Sequence, residues 1–470
     1  MRIVPVDWRA MVVIHTTSKL YNTLHDVMEN IKPVMQKQLV SITTKVDNAN
    51  SFAFYQAGTT NQGTRFYWAS ADRTLTLVGI GETVAFESDD NGFDAVHHSF
   101  GQLLENAAIY NDYEASGTGP IAFGGFAFDP LKEGSVTWGD FPNSSMVIPT
   151  YLLTIVHQES YLTINALVEP GESLEPYIAQ SVQFMESTFQ REQMPYLIQQ
   201  EEVAPEEWKQ IVKDATEDIK RGVIDKVVLA REMIATFSEN IPISSLLNVL
   251  SEQQHQSYIF AFERGMSCFV GSTPERLVKV EQRSLLSTCL AGTISRGQTQ
   301  EEDEQLGSYL LHDEKNLQEH DFVVQMIKQA VELCCDDVVV PDGPILYPLR
   351  NLQHLYTPVK GKLQQGYTIL DVVQRLHPTP ALGGYPVEAS IEFIRDKEPF
   401  HRGWYAAPIG WFDPKDNGEF AVAIRSALLY QNQATLFAGC GVVEDSQPEV
   451  EYEETAIKFS PMLQALGGLQ

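Results

Sequence analysis

Lys226, in Asp225-Lys226-Val227-Val228-Leu229-Ala230-Arg231, and Glu275, in Gly271-Ser272-Thr273-Pro274-Glu275-Arg276, are charged residues set beside strand-like apolar sequence. Burial penalises the charged form of each, so a desolvated lysine turns toward a base and a desolvated carboxyl toward an acid. Such a pair can activate water on one side of a substrate and protonate a leaving hydroxyl on the other. Taken alone, the two are also what strand-end surface charges look like. Residues further along the chain decide between these readings.

Residues 313 to 334 predict a helix, and at 100° per residue Glu319 falls in the middle of a face carrying Phe322, Val323, Met326, Ala330 and Leu333. An ionised carboxylate on an apolar stripe is costly unless it is paired or bound to a cation. A last helix, 448 to 466, puts Glu451, Glu454 and Lys458 at i, i+3 and i+7, on one face. Carboxylate oxygens with no histidine or thiolate cluster nearby suit Mg²⁺, which completes its shell with water and substrate. The alternative for Glu451, Glu453 and Glu454 is a solvated acidic face. Arg425, isolated in the apolar strand Ala421-Val422-Ala423-Ile424-Arg425-Ser426, offers a fork of donors to a carboxylate. Lys458 adds charge beside the glutamates, and ion pairing with them is the other reading of both cations. Gly439 and Gly441 flank Cys440 at a strand end, where backbone N–H groups can approach a ligand; Gly292 and Thr293 look alike in this respect.

Further motifs come in order: Leu290-Ala291-Gly292-Thr293, the run His312 to His320, His377-Pro378-Thr379-Pro380-Ala381-Leu382-Gly383-Gly384, Gly439 to Val443, and Glu451 to Thr455. With the first two, this set resembles the chorismate-utilising enzymes and, within them, the isochorismate synthases of the menaquinone type. The likeness is close from about residue 205 onward and looser before it, through Gly124-Gly125-Phe126-Ala127-Phe128-Asp129. The resemblance implies chorismate as substrate, Lys226 as the general base that directs water to C2, and Glu275 as the acid that protonates the departing C4 hydroxyl. It implies Mg²⁺ held by Glu319 and Glu454, with Glu451 reaching it through water. Tyr405, Arg425, Gly439 and Lys458 would line the pocket, and Ala381 would lie against the ring, with His377 in the same loop. Relatives that use ammonia carry glutamine where this chain has Lys226, and relatives that make aminodeoxychorismate carry lysine where it has Ala291. No glutaminase subunit is therefore expected. Salicylate synthesis, a siderophore-pathway isochorismate synthase and a non-catalytic chorismate-binding protein are the alternatives.

The 470 residues, 43% hydrophobic and 20% charged, suffice for a large core. A formal net charge of −29 argues against nucleic acid or an anionic membrane as partner, so an anionic substrate must meet locally placed cations. No apolar run reaches the roughly 18 residues of a membrane span. Met11-Val12-Val13-Ile14 is too short for a signal-peptide core, so a cytoplasmic location is expected. Five cysteines without C-x-x-C spacing read as reduced core residues. Hairpin-like runs of strands interrupted by helices predict an α+β fold with large antiparallel sheets flanking a layer of helices. The predicted division is a strand-rich region over 1–200 and a catalytic region over 201–470, with 191 to 207 as linker and the second half a structural echo of the first. A helix is predicted over 22 to 39. No heptad seam argues for more than a monomer.

Overall fold

Along the strand Arg65–Ala69, Phe66 and Trp68 belong to one apolar cluster while Tyr67 and Ala69 belong to another. This is the two-residue alternation of a strand, and here it buries both faces. In the computed structural model, which describes residues 19–29, 34–89, 92–133, 135–349 and 352–468, such strands assemble into one sheet of 13 and another of 10. Among the described residues every pairing is antiparallel except that of Gln38–Val46 with Ala108–Tyr110. The fold is α+β.

Aromatic side chains of both sheets, and of the turn before Pro408–Phe412, meet in the shared core: Phe66 stacks on Phe123 at 4.2 Å between centroids, and Phe262 lies 5.1 Å from Trp404. The helices Phe93–Glu105, Glu314–Glu332 and Ile369–Leu376 pack on the smaller sheet, and Ser51–Ala57, Ile243–Gln253 and Pro448–Ala465 on the larger.

Strands from before and after residue 200 share both sheets. Tyr258–Arg264 pairs with Arg65–Ala69 in the larger sheet, and Pro408–Phe412 with Ala122–Phe126 in the smaller. From the first joint outward each half presents two hairpins and then its own first strand, Gln38–Val46 on one side and Lys226–Phe237 on the other. The halves thus echo each other in strand order.

Several elements differ from expectation. The helix placed over 22 to 39 spans Lys19–Glu29, and Gln38–Val46 is a strand whose Leu39, Val40 and Ile42 are buried, so sheet packing overrides the helical pattern at its end. The supposed linker contains the strand Leu197–Glu202, which pairs with Lys226–Phe237 at the sheet edge. It is polar because an edge strand solvated on both faces needs no apolar alternation. Met11 to Ile14 lies outside the described residues. All five cysteines are free and buried.

A buried ion pair ties the halves at the first joint. Arg65 donates from Nε and Nη2 to Glu263 at 2.9 and 2.6 Å, and Glu263 also accepts from the Tyr55 hydroxyl at 2.9 Å. Glu263→Ala leaves Arg65 buried without its partner and is expected to cost about 3–5 kcal/mol in urea unfolding. A loss below about 1 kcal/mol, the scale of an exposed pair, would contradict this role.

Candidate active site

One cavity of about 170 Å³ is bordered by Lys226, Glu275, Gly292, Thr293, Glu319, Ala381, Tyr405, Arg425, Gly439, Gly441, Glu454 and Lys458. These residues, scattered over 230 positions of sequence, converge because four elements end at the same place. Lys226 opens the strand Lys226–Phe237, and its neighbour in the sheet, Gln433–Val442, carries Gly439 and Gly441. A Cβ on Gly441 would lie 3.0 Å from Lys226 Cε, close enough that the end of the lysine side chain would have to shift by a few tenths of an ångström. Glu275 sits in the turn between Ser267–Thr273 and Arg276–Glu281, held by Val422 N–H donating to its carbonyl at 3.0 Å and its own N–H donating to Thr273 Oγ1 at 3.2 Å. At Gly292, in the left-handed region at φ 79°, the register between Ser284–Ser295 and Leu352–Leu363 slips. Such a bulge re-aims the next side chain, and Thr293 borders the cavity.

The helix Glu314–Glu332 begins at Asp313, whose side chain accepts from Asn316 N–H at 3.0 Å. Its buried stripe is His320, Val323, Val324, Ile327 and Val331, whereas Phe322 is 38% and Leu333 63% exposed. Glu319 therefore lies at the edge of the apolar face rather than in its middle. That edge looks onto the cavity, where Glu319 pairs with the Lys226 ammonium. His320 is structural, with Nδ1 at 3.0 Å from Ala291 O and Nε2 at 2.7 Å from Thr357 Oγ1. Arg425 also differs from expectation: it occupies the turn between Gly418–Val422 and Ser426–Tyr430, not a strand, at φ 52°. Tyr405 likewise lies in a turn, its N–H donating to Arg402 O at 2.9 Å. His377 is outside the cavity, its Nε2 3.1 Å from Phe128 O.

Burial dominates the electrostatics. It pushes the Glu275 carboxyl up to about 7, against the downward pull of Arg425 and Lys458. It pulls the Arg425 guanidinium down, opposed by Tyr405, Glu454 and Glu275. Lys458 Nζ donates to Gly439 O at 2.9 Å and to Glu454 at 2.5 Å, which fixes the helix Pro448–Ala465 against the glycine strand. A residue not foreseen from sequence joins this set. His354 borders the cavity with Nδ1 2.9 Å from Thr293 Oγ1, while its buried Nε2 has no hydrogen-bond partner among the described residues. Burial, then Arg425 and Lys458, hold it neutral by taking its pKa down to about 3.

An adjoining pocket shares Lys226, Glu319, Gly441 and Glu454 with the first and adds Glu451. Burial, and then the neighbouring Glu454, raise the Glu451 carboxyl, against a hydrogen bond from Ser446 that lowers it. Among the described residues no three carboxylates, imidazoles or thiolates stand close enough to hold an ion together as arranged. The donor chemistry nonetheless fits a hard divalent cation: the carboxylates of Glu319 and Glu454 already hold positive charge at this place, the ammonium groups of Lys226 and Lys458.

Residues 26–467 match the family described as chorismate binding enzyme. The chain is 42% identical to the isochorismate synthase MenF of Bacillus subtilis, over 94% of this chain and 96% of that one. It is 35% identical to the salicylate biosynthesis isochorismate synthase of Pseudomonas aeruginosa, over 92% and 91%. Among solved structures, MenF, the menaquinone-specific isochorismate synthase of Escherichia coli, superposes with a TM-score of 0.81 at 25% identity, covering 96% of this chain and all of that one.

Glu275 makes the site visible in the stability of the protein. Its carboxyl titrates near 7 when folded against about 4.5 when exposed. The native state therefore holds the extra proton between those values, and the stability this group contributes is full below about 4.5 and is lost as pH rises through 7. Glu275→Gln removes that dependence, so its unfolding free energy relative to the parent should rise between about pH 5 and pH 8. An unchanging difference would contradict the buried, protonated carboxyl.

Proposed function

The chain belongs to the chorismate-binding enzyme family, and we propose that it is an isochorismate synthase in which Lys226 and Glu275 carry the proton transfers. The observation that carries this reading is the pair itself: the Lys226 side chain and the Glu275 carboxyl, which burial raises to about 7, border one cavity from different elements, with Arg425 and Lys458 between the same walls. Arg425 and Lys458 supply the charge that a dianion such as chorismate needs inside an acidic protein. Neutral His354 and the Tyr405 hydroxyl add hydrogen bonds without adding charge.

Water can reach Lys226 from the adjoining pocket, because Lys226 borders both spaces. Lys226, as the free amine left when the ammonium paired with Glu319 gives up a proton to solvent, takes a proton from that water as the water attacks C2. The double bonds shift, the C4–O bond breaks, and Glu275 gives its proton to the departing hydroxyl. Water is consumed at C2 and released from C4, and once the proton gained by Lys226 has returned through solvent to Glu275 the conversion balances; it runs in both directions. Ala291 keeps the cavity wall small where a lysine nucleophile would serve a different reaction. Glu319 and Glu454, with Glu451 beside them in the adjoining pocket, would hold Mg²⁺, which would supply charge neutralisation for a substrate carboxylate. The menaquinone branch is supported by the two MenF relatives. With Lys226 activating water, neither ammonia nor a glutaminase subunit is required. We take the enzyme to act in the cytoplasm as a monomer, on the composition and the absence of a heptad seam. The region over 1–200 then acts as scaffold: among the described residues, every one bordering the cavity lies at 226 or beyond.

Purified protein with Mg²⁺ and chorismate, without ammonium, should form isochorismate. Lys226→Ala and Glu275→Gln should each lower kcat by ~10²–10⁴-fold, in the forward and the reverse direction alike, while chorismate still binds. Turnover in both directions, measured beside binding affinity, checks this. Near-normal kcat for Lys226→Ala in either direction would refute the mechanism, and a loss confined to affinity would recast the lysine as a binding cation.

A further inference from the structure

The strand Lys226–Phe237 has a gap along one edge. Gly384–Tyr385 pairs with Lys226 and Val227, and Leu197–Glu202 pairs from Met233 onward. Between them, side chains take the place of a strand. Arg402 Nη2 donates to Val228 O at 2.6 Å, Ala230 N–H donates to Glu398 Oε1 at 2.7 Å, and Trp208 Nε1 donates to Ala230 O at 2.9 Å.

Arg402 and Glu398 are only 3% and 4% exposed. They form a two-pronged pair, Nε to Oε2 at 2.8 Å and Nη2 to Oε1 at 2.5 Å, with the guanidinium carbon 4.2 Å from the Phe128 ring centre. A third arm of Arg402, Nη1, donates to Leu382 O at 3.2 Å. Leu382 belongs to the loop that supplies the short pairing strand: Val228 N–H donates to Gly383 O at 3.1 Å, and Gly384 lies so close that a Cβ there would stand 2.2 Å from Lys226 O. One guanidinium therefore grips both the strand that begins with Lys226 and the loop that lies against it.

We infer that the Glu398–Arg402 pair is a positioning device for Lys226, locking the loop Leu382–Tyr385 onto the lysine strand so that the amine keeps its place at the cavity. The inference rests on Lys226 being the general base. Arg402 borders the cavity but Glu398 does not, so whatever Glu398 does for turnover passes through its partners, and the Glu398→Gln variant is the one that reads positioning apart from contact with substrate. The principal cations for substrate, Arg425 and Lys458, stand on other elements. Loosening the clamp should therefore depress kcat more than affinity.

The test compares Glu398→Gln, Arg402→Lys and the double variant Glu398→Gln/Arg402→Met, in the parent and in the Lys226→Ala background. In the parent, kcat should fall about 10²-fold, the scale of a displacement of about 1 Å at a reacting group, with the KM for chorismate within about three-fold. Removing both charges should return the Tm toward that of the parent, since no unpaired charge stays buried, while kcat stays low. In the Lys226→Ala background the same substitutions should cost nothing further, because the group they position is gone. A double variant with parental Tm and parental kcat, or an equal fall in both backgrounds, would overturn the inference about the pair. A Lys226→Ala enzyme with near-normal kcat would instead overturn the reading of the base.

Discussion

Seven side chains of charged type, Lys226, Glu275, Glu319, Arg402, Arg425, Glu454 and Lys458, border one small cavity together with His354 and Tyr405, and their interaction under partial desolvation is the constraint to which the surrounding elements answer. A chain with a net charge of −29 repels an anion over most of its surface. It can accept one only where cations are gathered and water is partly excluded. The same exclusion keeps Glu275 protonated near neutrality and His354 neutral. Binding charge and proton-transfer chemistry thus have a common physical origin.

The sheets meet that constraint by bringing strand ends to one place. Lys226 opens its strand, Glu275 and Arg425 stand in the turns that join strands, and Gly439 and Gly441 lie near the end of theirs. Ends and turns carry the site because side chains there are not committed to the alternating core. The strands between them are committed, on both faces of the larger sheet. Among the described residues the half before residue 200 contributes none to the cavity wall, yet it extends both sheets past their central strands and shares the aromatic core. It also supplies Arg65 and Phe128, each of which bonds or stacks against a charged group of the other half.

Lys226, Glu275 and the glutamates were singled out by the ordered motifs around them, since their charge alone also fits strand ends and a solvated face; the structure brings Lys226, Glu275, Glu319 and Glu454 to one cavity and Glu451 to the adjoining pocket. The strand-rich α+β class was legible from the succession of short runs. The position of Glu319 was misjudged because Phe322 and Leu333 counted as core; Phe322 instead packs against Tyr385, 4.6 Å between ring centres, and Leu333 is exposed. His354 escaped notice because its strand neighbours Gln353 and Thr357 are also polar and buried, so the histidine did not stand out. Its unpartnered Nε2 exists only in three dimensions. Arg402 was invisible for a related reason: its contact with Val228 spans 174 residues. The edge strand Leu197–Glu202 carries no alternation at all, since pairing rather than burial makes it a strand.

The central claim is that the hydroxyl of the product comes from solvent, activated by Lys226, and not from migration of the hydroxyl already on the substrate. A single turnover of chorismate in heavy-oxygen water, with the product read by mass spectrometry, tests it directly. The account predicts one heavy oxygen atom, located at C2 of isochorismate, in every molecule formed. Product that keeps only the original light oxygen would contradict it.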